Sequence, residues 1–208
     1  MKIYLASGSP RRKELLGWMG LKFEVIEHEV DEKSVKSRSL KDLAGELALR
    51  KADSVVKKIK TGLVIGSDLI VDFKGKQLGK PKDLKEAKKT LKILRNKTHM
   101  IYCGVAVLNK KTDEIVMSVA ETKVKMKDYS DEIIEKYVNN YKVLDKGGSY
   151  AIQDKIKGFG SLVKSFEGGI TTIIGLPLDY LENLLIEFGI KPKKNWKKKC
   201  KLETGYEY

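Results

Sequence analysis

The residues best suited to chemistry lie near the N-terminus, where an apolar run ends in a Ser-Gly-Ser turn followed by Pro10, Arg11 and Arg12. Ser9 is a natural N-cap and Pro10 suits the first position of a helix, so the pattern predicts a strand, a glycine turn and a helix start. Such a turn presents unpaired backbone N–H groups and the positive end of a helix dipole. The two arginines oppose that dipole unless an anion binds there. An ordinary helix start with solvated arginines is the alternative, and we favour a phosphate site.

A lysine in the middle of the sequence also has an unusual position. Apolar spacing predicts a long helix from about Leu40 to Lys58, and Lys51 lies on its apolar stripe, four residues after Leu47 and four before Val55. A lysine on a buried helix face either extends its ammonium to the edge or pairs with an anion. The periodicity leaves both alternatives open.

A carboxylate interrupts the most apolar strand. The segment Leu63–Val71 reads as a buried strand, and Asp68 lies inside it. Burying an unpaired carboxylate is costly, so a partner or a function is expected. Asp68 either pairs with a backbone turn at a strand end or acts as a metal ligand or general base, and we favour the second interpretation.

The remaining elements indicate an α/β protein. Two strands, 99–108 and 115–126, are joined by a short turn and predict an antiparallel hairpin. Further helices are expected after Asp83, after Ser130, and finally from about Pro177 to Gly189. Alternation of strands and helices together with one hairpin predicts a mixed sheet. The glycine-rich segment 145–160 is predicted to be irregular and is a candidate binding loop.

The composition indicates a globular protein of the cytoplasm. Of 208 residues, 41% are hydrophobic and 34% charged. No apolar stretch approaches the roughly 20 residues needed to cross a bilayer, and the N-terminus does not resemble a signal peptide. The two cysteines, Cys103 and Cys200, are far apart and indicate neither a disulfide framework nor a zinc site.

The net charge of +14 is shared between the body and the C-terminus. Residues 191–201 contain seven lysines; with Glu203 and Glu207 the tail carries +5, which leaves +9 on the body. A basic body suits an anionic ligand such as a nucleotide or a nucleic acid. We expect the tail to be a charged, solvated terminus rather than a nucleic-acid contact.

Five motifs in order resemble one family, the Maf proteins, which are nucleotide pyrophosphatases related in fold to the inosine triphosphate pyrophosphatases. The resemblance covers roughly residues 2–189. The motifs are L-A-S-x-S-P-R-R-x-x-L-L at 5–16, G-[AS]-D at 66–68, L-G-K-P at 78–81, D-K-x-G-x-Y-x-I-Q at 145–153, and a V-V-G-L-P-like segment at 173–177. The resemblance implies an elongated, twisted mixed sheet with flanking helices and two lobes around a cleft. The domain would span residues 1–190, with a lysine-rich tail at 191–208.

The resemblance implies hydrolysis of a nucleoside triphosphate to the monophosphate and pyrophosphate, assisted by Mg²⁺ or Mn²⁺. A water would attack the α-phosphorus. The implied catalytic residues are Asp68, Glu32, Lys51 and Lys80, with Asp68 and Glu32 as the metal ligands. The implied substrate-binding residues are Ser7, Ser9, Arg11, Arg12, Leu69 and Gln153.

The resemblance implies dTTP, UTP or modified pyrimidine nucleotides as substrates, with one departure from the pattern. Arg11 and Gln153 match the branch of the family that acts on dTTP and UTP. Leu69 stands where that branch has threonine and another branch has glutamine. A leucine cannot form a side-chain hydrogen bond, so base selectivity is expected to be relaxed or shifted.

A different class of function competes with the enzyme. The charge and the lysine tail are compatible with a nucleic-acid- or protein-binding regulator on the same fold, and the family has been linked by name to septum formation. The intact set of charged site positions favours the enzyme. The resemblance also implies a homodimer. Of the two histidines, His99 is expected to have a structural hydrogen-bonding role and His28 to lie on the surface.

Overall fold

The computed structural model describes residues 1–206 of the chain. Its strands are β1 (Ile3–Leu5), β2 (Glu24–Val25), β3 (Leu63–Phe73), β4 (Lys76–Gln77), β5 (Thr98–Asn109), β6 (Ile115–Met126) and β7 (Val163–Gly168). Its helices are α1 (Pro10–Trp18), α2 (Leu40–Val56), α3 (Leu84–Leu94), α4 (Asp131–Asn140), α5 (Ile170–Ile174), α6 (Leu178–Glu187) and α7 (Trp196–Thr204). Within this range, no helix combines the length and the apolar character that crossing a membrane requires.

The strands form one mixed sheet, as the sequence predicts. Their order is β2-β1-β3-β5-β6-β7, with β4 paired to the outer part of β3. β1 is parallel to both of its neighbours, so that Tyr4 lies opposite Glu24 on one side and Val64 on the other. β6 and β7 are antiparallel. The predicted hairpin is confirmed, since β5 and β6 are adjacent and Asn109 N–H donates to the Glu114 carbonyl in the turn between them.

The chain folds into two compact units. Unit 1 comprises Met1–Leu69, Tyr102–Ala120 and the chain from Gly169 onward, and unit 2 comprises Ile70–Ile101 and Glu121–Gly168. Three strands, β3, β5 and β6, contribute residues to both units. The domain boundary expected at residue 190 stays a prediction.

In unit 1, α2 lies directly against the sheet because two strand positions lack side chains. A Cβ at Gly66 would lie 2.2 Å from the Ala48 carbonyl oxygen, and one at Gly104 would lie 2.1 Å from that of Ala44. Any side chain at these positions would push the helix away from the sheet. The close approach places the buried face of α2, including Lys51, over the middle of β3.

In unit 2, the helices begin at the predicted caps. Asp83 accepts a hydrogen bond from Glu86 N–H at 2.7 Å, and Ser130 accepts one from Ile133 N–H at 3.3 Å. These caps satisfy backbone donors that the first turn of a helix leaves unpaired. α3 and α4 pack against each other.

The C-terminal tail differs from the prediction of a solvated terminus. Residues 196–204 form α7, and the side chains at 196, 200 and 204 are buried. Asn195 caps the helix by accepting from Lys198 N–H, and Trp196 Nε1 donates to Glu182 Oε2 at 2.8 Å. The spacing of four residues between Trp196, Cys200 and Thr204 is a helix face, which the surrounding lysines obscure in the sequence.

Candidate active site

The turn before α1 follows the prediction in its backbone. The helix begins at Pro10, and Ser9 occupies the N-cap with extended backbone angles. Among residues 1–206, the Ser9 side chain has no capping partner. Instead, Ser9 N–H donates to the hydroxyl of Ser7 at 3.2 Å. Ser7 is buried at the end of β1 and therefore organises the turn.

Arg12 is held in place by three partners within unit 1. Its Nη1 donates to Ser7 Oγ at 3.3 Å, its Nε donates to the Gly175 carbonyl at 2.8 Å, and its Nη2 lies 3.8 Å from Asp68 Oδ1. Only 13% of the side chain is exposed. A guanidinium fixed in this way is preorganised for bidentate binding of phosphate oxygens.

Gly175 is a site residue that sequence reasoning missed. Its carbonyl accepts from both Arg12 Nε and Ser67 Oγ, the latter at 3.2 Å. Its φ of 127° lies in the region that favours glycine. The glycine in the V-V-G-L-P-like segment is the signal that could have found it, but the motif itself does not indicate a carbonyl that holds an arginine.

The ammonium of Lys51 joins two carboxylates. Its Nζ lies 2.5 Å from Asp68 Oδ1 and 2.6 Å from Glu32 Oε1. The Lys51 side chain is 3% exposed and that of Asp68 10%, whereas Glu32 is 52% exposed. The alternative left open for Lys51 is thereby decided: it pairs with anions rather than extending to the edge.

The two ion pairs have different energetic weights. Removing one partner of a buried pair typically costs about 3–5 kcal/mol, because the other charge is left without compensation. This applies to Lys51 and Asp68. Glu32 begins a short 3₁₀ turn, Glu32–Ser34, which Asp31 caps. Its half-exposed carboxylate contributes about 1 kcal/mol or less and can move at little cost.

The two carboxylates fit a divalent cation. Glu32 and Asp68 converge on one Nζ atom, which shows that one positive centre can be shared between them. Carboxylate oxygens are the hard donors that Mg²⁺ prefers, and its sites in proteins commonly use one or two carboxylates with substrate phosphates and waters. Residues 1–206 contain no group of three or more His, Cys, Asp or Glu arranged to hold a metal, so phosphate oxygens would have to complete the coordination.

His28 lies closer to this cluster than predicted. It is half-buried, and its Nδ1 accepts from Val30 N–H at 3.4 Å. Burial lowers the pKa of His28, and the positive charges of Lys51 and Arg12 lower it further against the opposing effect of Glu32 and Asp68. The residue expected at the surface is thus partly covered and feels the charges of the site.

Cys103 is excluded as a nucleophile. Its Sγ lies 3.6 Å from Ser67 Oγ in the interior of unit 1. Burial raises the pKa of the Cys103 thiol to about 12, so the reactive thiolate is not populated near neutral pH. The residue packs beneath the site.

The other predicted site residues are distributed over both units. Arg11 precedes Arg12 in the first turn of α1, and Leu69 follows Asp68 on β3. Lys80 and Gln153 belong to unit 2, where Lys80 is exposed before α3 and Gln153 is half-buried in the irregular segment. Their roles stay predictions.

Buried and partly buried hydrogen bonds hold the loop that carries Gln153. The Tyr137 hydroxyl donates to Asp154 Oδ2 at 2.5 Å and accepts from Ala151 N–H at 2.9 Å. His99 Nε2 lies 2.7 Å from the Tyr150 hydroxyl. Burial lowers the pKa of His99 to about 4, so the ring is neutral near pH 7. The structural role expected for His99 is confirmed.

The chain is similar in sequence to a large set of proteins. The family model described as Maf-like protein matches residues 2–188. Three relatives named dTTP/UTP pyrophosphatase are each 42% identical: those of Dictyoglomus turgidum (90% of this chain, 96% of the relative), Thermotoga maritima (91% and 90%) and Bacillus anthracis (91% and 96%).

Similarity to a solved structure is confined to the fold. The structure of the Staphylococcus aureus Ham1 protein superposes with a TM-score of 0.50 at 13% identity, covering 90% of this chain and 97% of that one. The mixed α/β architecture is therefore found in a protein of very different sequence.

Proposed function

Because the chain belongs to the family of Maf-like proteins, we propose that it hydrolyses nucleoside triphosphates to nucleoside monophosphate and pyrophosphate. The observation that carries the proposal is the buried contact of Lys51 with Asp68, with Arg12 fixed beside it. A buried cation, a partly buried cation and a buried carboxylate next to the turn that follows β1 suit a ligand with several negative charges and a reaction that transfers a proton.

The proposed substrates are the pyrimidine nucleotides dTTP and UTP, as in the relatives that carry this name. Arg11 and Gln153 agree with this choice. Leu69, next to Asp68 on β3, offers no side-chain hydrogen bond to a base. Discrimination among bases would then rest on shape and on other groups, so we expect it to be weaker than where a polar side chain reads the base.

Binding of the triphosphate would use the cations that Asp68 now neutralises. Arg12 can retain its bonds to Ser7 and Gly175 while the outer edge of its guanidinium turns to a phosphate. Lys51 can exchange one of its carboxylate partners for a phosphate oxygen. The substrate therefore competes with Asp68 for positive charge, which leaves the carboxylate available to a water molecule.

Asp68 is proposed as the proton acceptor. A water oxygen bonds to the α-phosphorus while the bond from that phosphorus to the bridging oxygen of the β-phosphate breaks, and the water's proton passes to Asp68. Pyrophosphate leaves with the bonding electrons. Lys51 and Arg12 would stabilise the charge that develops on the phosphate oxygens.

A divalent cation, Mg²⁺ or Mn²⁺, is proposed as the cofactor. Glu32 and Asp68 are the residues that would hold it. When bound, such an ion neutralises phosphate charge and polarises a water for attack. Glu32 is the better suited of the two to rearrange, because half of its side chain is exposed.

The test is pyrophosphate release from a panel of canonical and modified nucleoside triphosphates, with Mg²⁺ or Mn²⁺, for the wild type and Asp68→Asn. The amide keeps the size of the side chain and cannot accept a proton. We expect turnover to fall about 10²–10⁴-fold, as is usual when a general base is removed. The rank order of the panel tests the preference for dTTP and UTP.

Asp72→Asn is the matched control, since Asp72 is a second carboxylate on β3 and accepts from the Gly75 N–H in a turn. It should retain wild-type turnover. If the turnover of Asp68→Asn stays within a few-fold of the wild-type value, Asp68 is not the proton acceptor. A folded wild type that releases no pyrophosphate from any nucleotide would contradict the proposal that the protein is a pyrophosphatase. A homodimer and a cytoplasmic location stay predictions.

A further inference from the structure

A cluster of positive charge surrounds a cavity of about 560 Å³ in unit 2. Small-molecule cavities typically have volumes of about 300–1,000 Å³, so the size allows a ligand. The cavity is lined by the C-terminal end of α4 and by the loop at 155–157, and three of its six lining residues are lysines: Lys136, Asn140, Tyr141, Lys155, Ile156 and Lys157. None of the six belongs to the predicted active site.

The ammonium groups of these lysines have no acidic partner. Across residues 1–206, Lys136, Lys155 and Lys157 form no side-chain hydrogen bond or ion pair, and no carboxylate lines the cavity. Elsewhere in unit 2 such pairs do form, as between Lys88 and Glu135 at 2.6 Å. A cleft lined by charges of one sign concentrates the field and attracts counter-ions. The cavity therefore presents uncompensated positive charge.

The carboxylates near the cavity do not neutralise it. Asp154, next to the loop, accepts from the Tyr137 hydroxyl at 2.5 Å and is not a lining residue. Glu132, one turn before Lys136 on α4, forms no ion pair with it in the part of the chain that the structure describes. The C-terminal end of α4 contributes about half a negative charge, which is small beside three ammonium groups.

Hydrogen bonds fix the backbone of the cavity wall. The Tyr141 hydroxyl donates to the Lys155 carbonyl at 2.6 Å, which joins the end of α4 to the loop. Asn140 Nδ2 donates to the Lys136 carbonyl at 2.7 Å. Ile156 is buried and anchors the loop. Two carbonyls that would repel an anion thus already accept a hydrogen bond, and the amide of Asn140 keeps a second hydrogen for a ligand.

The number of ammonium groups indicates the kind of anion. A single carboxylate would neutralise only one of the three lysines. Lysine binds phosphate as a point charge, and a chain of two or three phosphates carries several charges within the length of one cavity. A nucleic-acid strand, by contrast, follows an extended basic groove with a series of aromatic side chains.

We propose that this cavity binds an oligophosphate, either as a free anion or as the phosphate chain of a nucleotide. The binding is separate from the proposed hydrolysis and uses none of its residues. The two sources differ in one contact. Ile156 and the ring of Tyr141, which stacks on Tyr137 at a centroid distance of 4.9 Å, form an apolar wall against which a sugar or base would pack.

The test is calorimetric titration with inorganic triphosphate, in buffer freed of divalent cations on a chelating resin. The variant Lys136→Gln/Lys155→Gln/Lys157→Gln should bind at this cavity at least about tenfold more weakly than the wild type, because hydrogen bonds to charged groups are lost. In the wild type, bound triphosphate should also protect these three lysines from acetylation, measured by mass spectrometry, while Lys85 reacts as before.

The matched control is Lys85→Gln/Lys89→Gln/Lys164→Gln, which removes three exposed lysines of unit 2 outside the cavity wall. It should bind triphosphate like the wild type, and both variants should keep the wild-type melting temperature and KM for the nucleotide. Equal weakening in both variants would show that net charge alone attracts the anion and would overturn the proposal. So would a wild type whose three cavity lysines are not protected.

The active site is excluded as the source of the signal by two readouts. A KM that rises only in the cavity variant would assign its lysines to the active site and would overturn a separate binding site. Binding and acetylation are measured without turnover, so their outcome does not depend on whether the protein hydrolyses nucleotides.

The analogue α,β-imido-UTP distinguishes the two sources, since it has three phosphates and a uridine and resists cleavage at the α-phosphorus. If it binds more tightly than inorganic triphosphate, and the cavity variant loses that difference, the ligand is a nucleotide. Equal affinities at the cavity assign it to a free oligophosphate. Hexaglutamate that competes as well as inorganic triphosphate would contradict phosphate binding and would indicate an acidic protein partner.

Discussion

The two units bury polar groups in different ways. In unit 1 two buried groups form an ion pair: Lys51 and Asp68 touch, with Arg12 beside them. In unit 2 a buried pair is neutral at pH 7: His99 contacts Tyr150, and burial alone lowers the pKa of the histidine to about 4. The charged side chains of unit 1 can exchange their partners for a ligand, whereas the hydrogen bonds of unit 2 hold the shape of a loop.

The same contrast holds for the tyrosines of unit 2. Burial is the main cause that raises the pKa of both Tyr137 and Tyr150, so neither hydroxyl ionises at any ordinary pH. In unit 1, His28 has its pKa lowered by burial and by the charges of its neighbours together. Substitutions should therefore affect ligand binding in unit 1 and mainly conformation in unit 2.

The largest effect is expected for Lys51→Met. The change leaves the buried carboxylate of Asp68 without its closest cation, so we expect the free energy of unfolding to fall by about 3–5 kcal/mol. Glu32→Gln removes the half-exposed partner instead and should cost about 1 kcal/mol or less. Urea unfolding with a metal chelator, followed by the fluorescence of Trp18 and Trp196 in unit 1, measures both. Equal losses would contradict the ranking of the two ion pairs.

An effect of about 3–4 kcal/mol is expected for His99 in acid, from about 2.5 pH units at about 1.4 kcal/mol for each unit. The unfolded chain binds a proton at His99 below about pH 6.5 and the folded protein only below about pH 4. The stability contributed by the neutral ring is therefore complete above pH 6.5 and is lost as the pH falls to 4.

His99→Gln tests this, because glutamine does not titrate in this range and can still hydrogen-bond to Tyr150. The variant should lose less stability than the wild type between pH 7 and 4 in urea unfolding followed by circular dichroism. His28→Gln, at a half-buried position, should change the same pH dependence less. If the free energy of unfolding depends on pH identically in the wild type and His99→Gln, protonation of His99 does not destabilise the folded protein.

A smaller effect, about 1–3 kcal/mol, is expected for Gly175→Ala. Alanine is strained at a φ of 127°, although its Cβ would meet nothing closer than 3.9 Å. A shift of this residue moves the carbonyl that holds Arg12, so KM for the nucleotide should also rise. Gly17→Ala is the control: it lies in α1 with open space around it, and alanine should stabilise that helix by about 1 kcal/mol. An unchanged KM for Gly175→Ala would show that the Gly175 carbonyl does not control nucleotide binding through Arg12.

Much of the fold could be predicted because local patterns determine it. The apolar stripe of α2 predicted a helix at 40–58, and it is found at Leu40–Val56. The caps at Asp83 and Ser130 and the hairpin of β5 and β6 follow from turn and cap chemistry, which acts over a few residues. The predicted solvated tail was wrong, because a four-residue spacing of buried side chains is hard to distinguish within a run of lysines.

The candidate site could be predicted in its residue types but only partly in its contacts. A lysine on a buried stripe and an aspartate in an apolar strand each require a partner, and the structure joins them at 2.5 Å. Gly175 and His28 were not predicted. Gly175 acts through its backbone carbonyl, a group that every residue has. His28 belongs to an irregular loop without periodicity.

The sequence by itself determined the order of the longer elements up to α4, the family and the charged residue types, since these depend on local pattern and on motifs in order. Only the tertiary structure decided that Lys51 pairs with Asp68 and Glu32, that Gly175 anchors Arg12, and that α7 buries one face. Each of these depends on residues distant in the chain that meet through packing. The close approach of α2 at Gly66 shows the physical reason: a missing side chain on one strand sets which charges can touch.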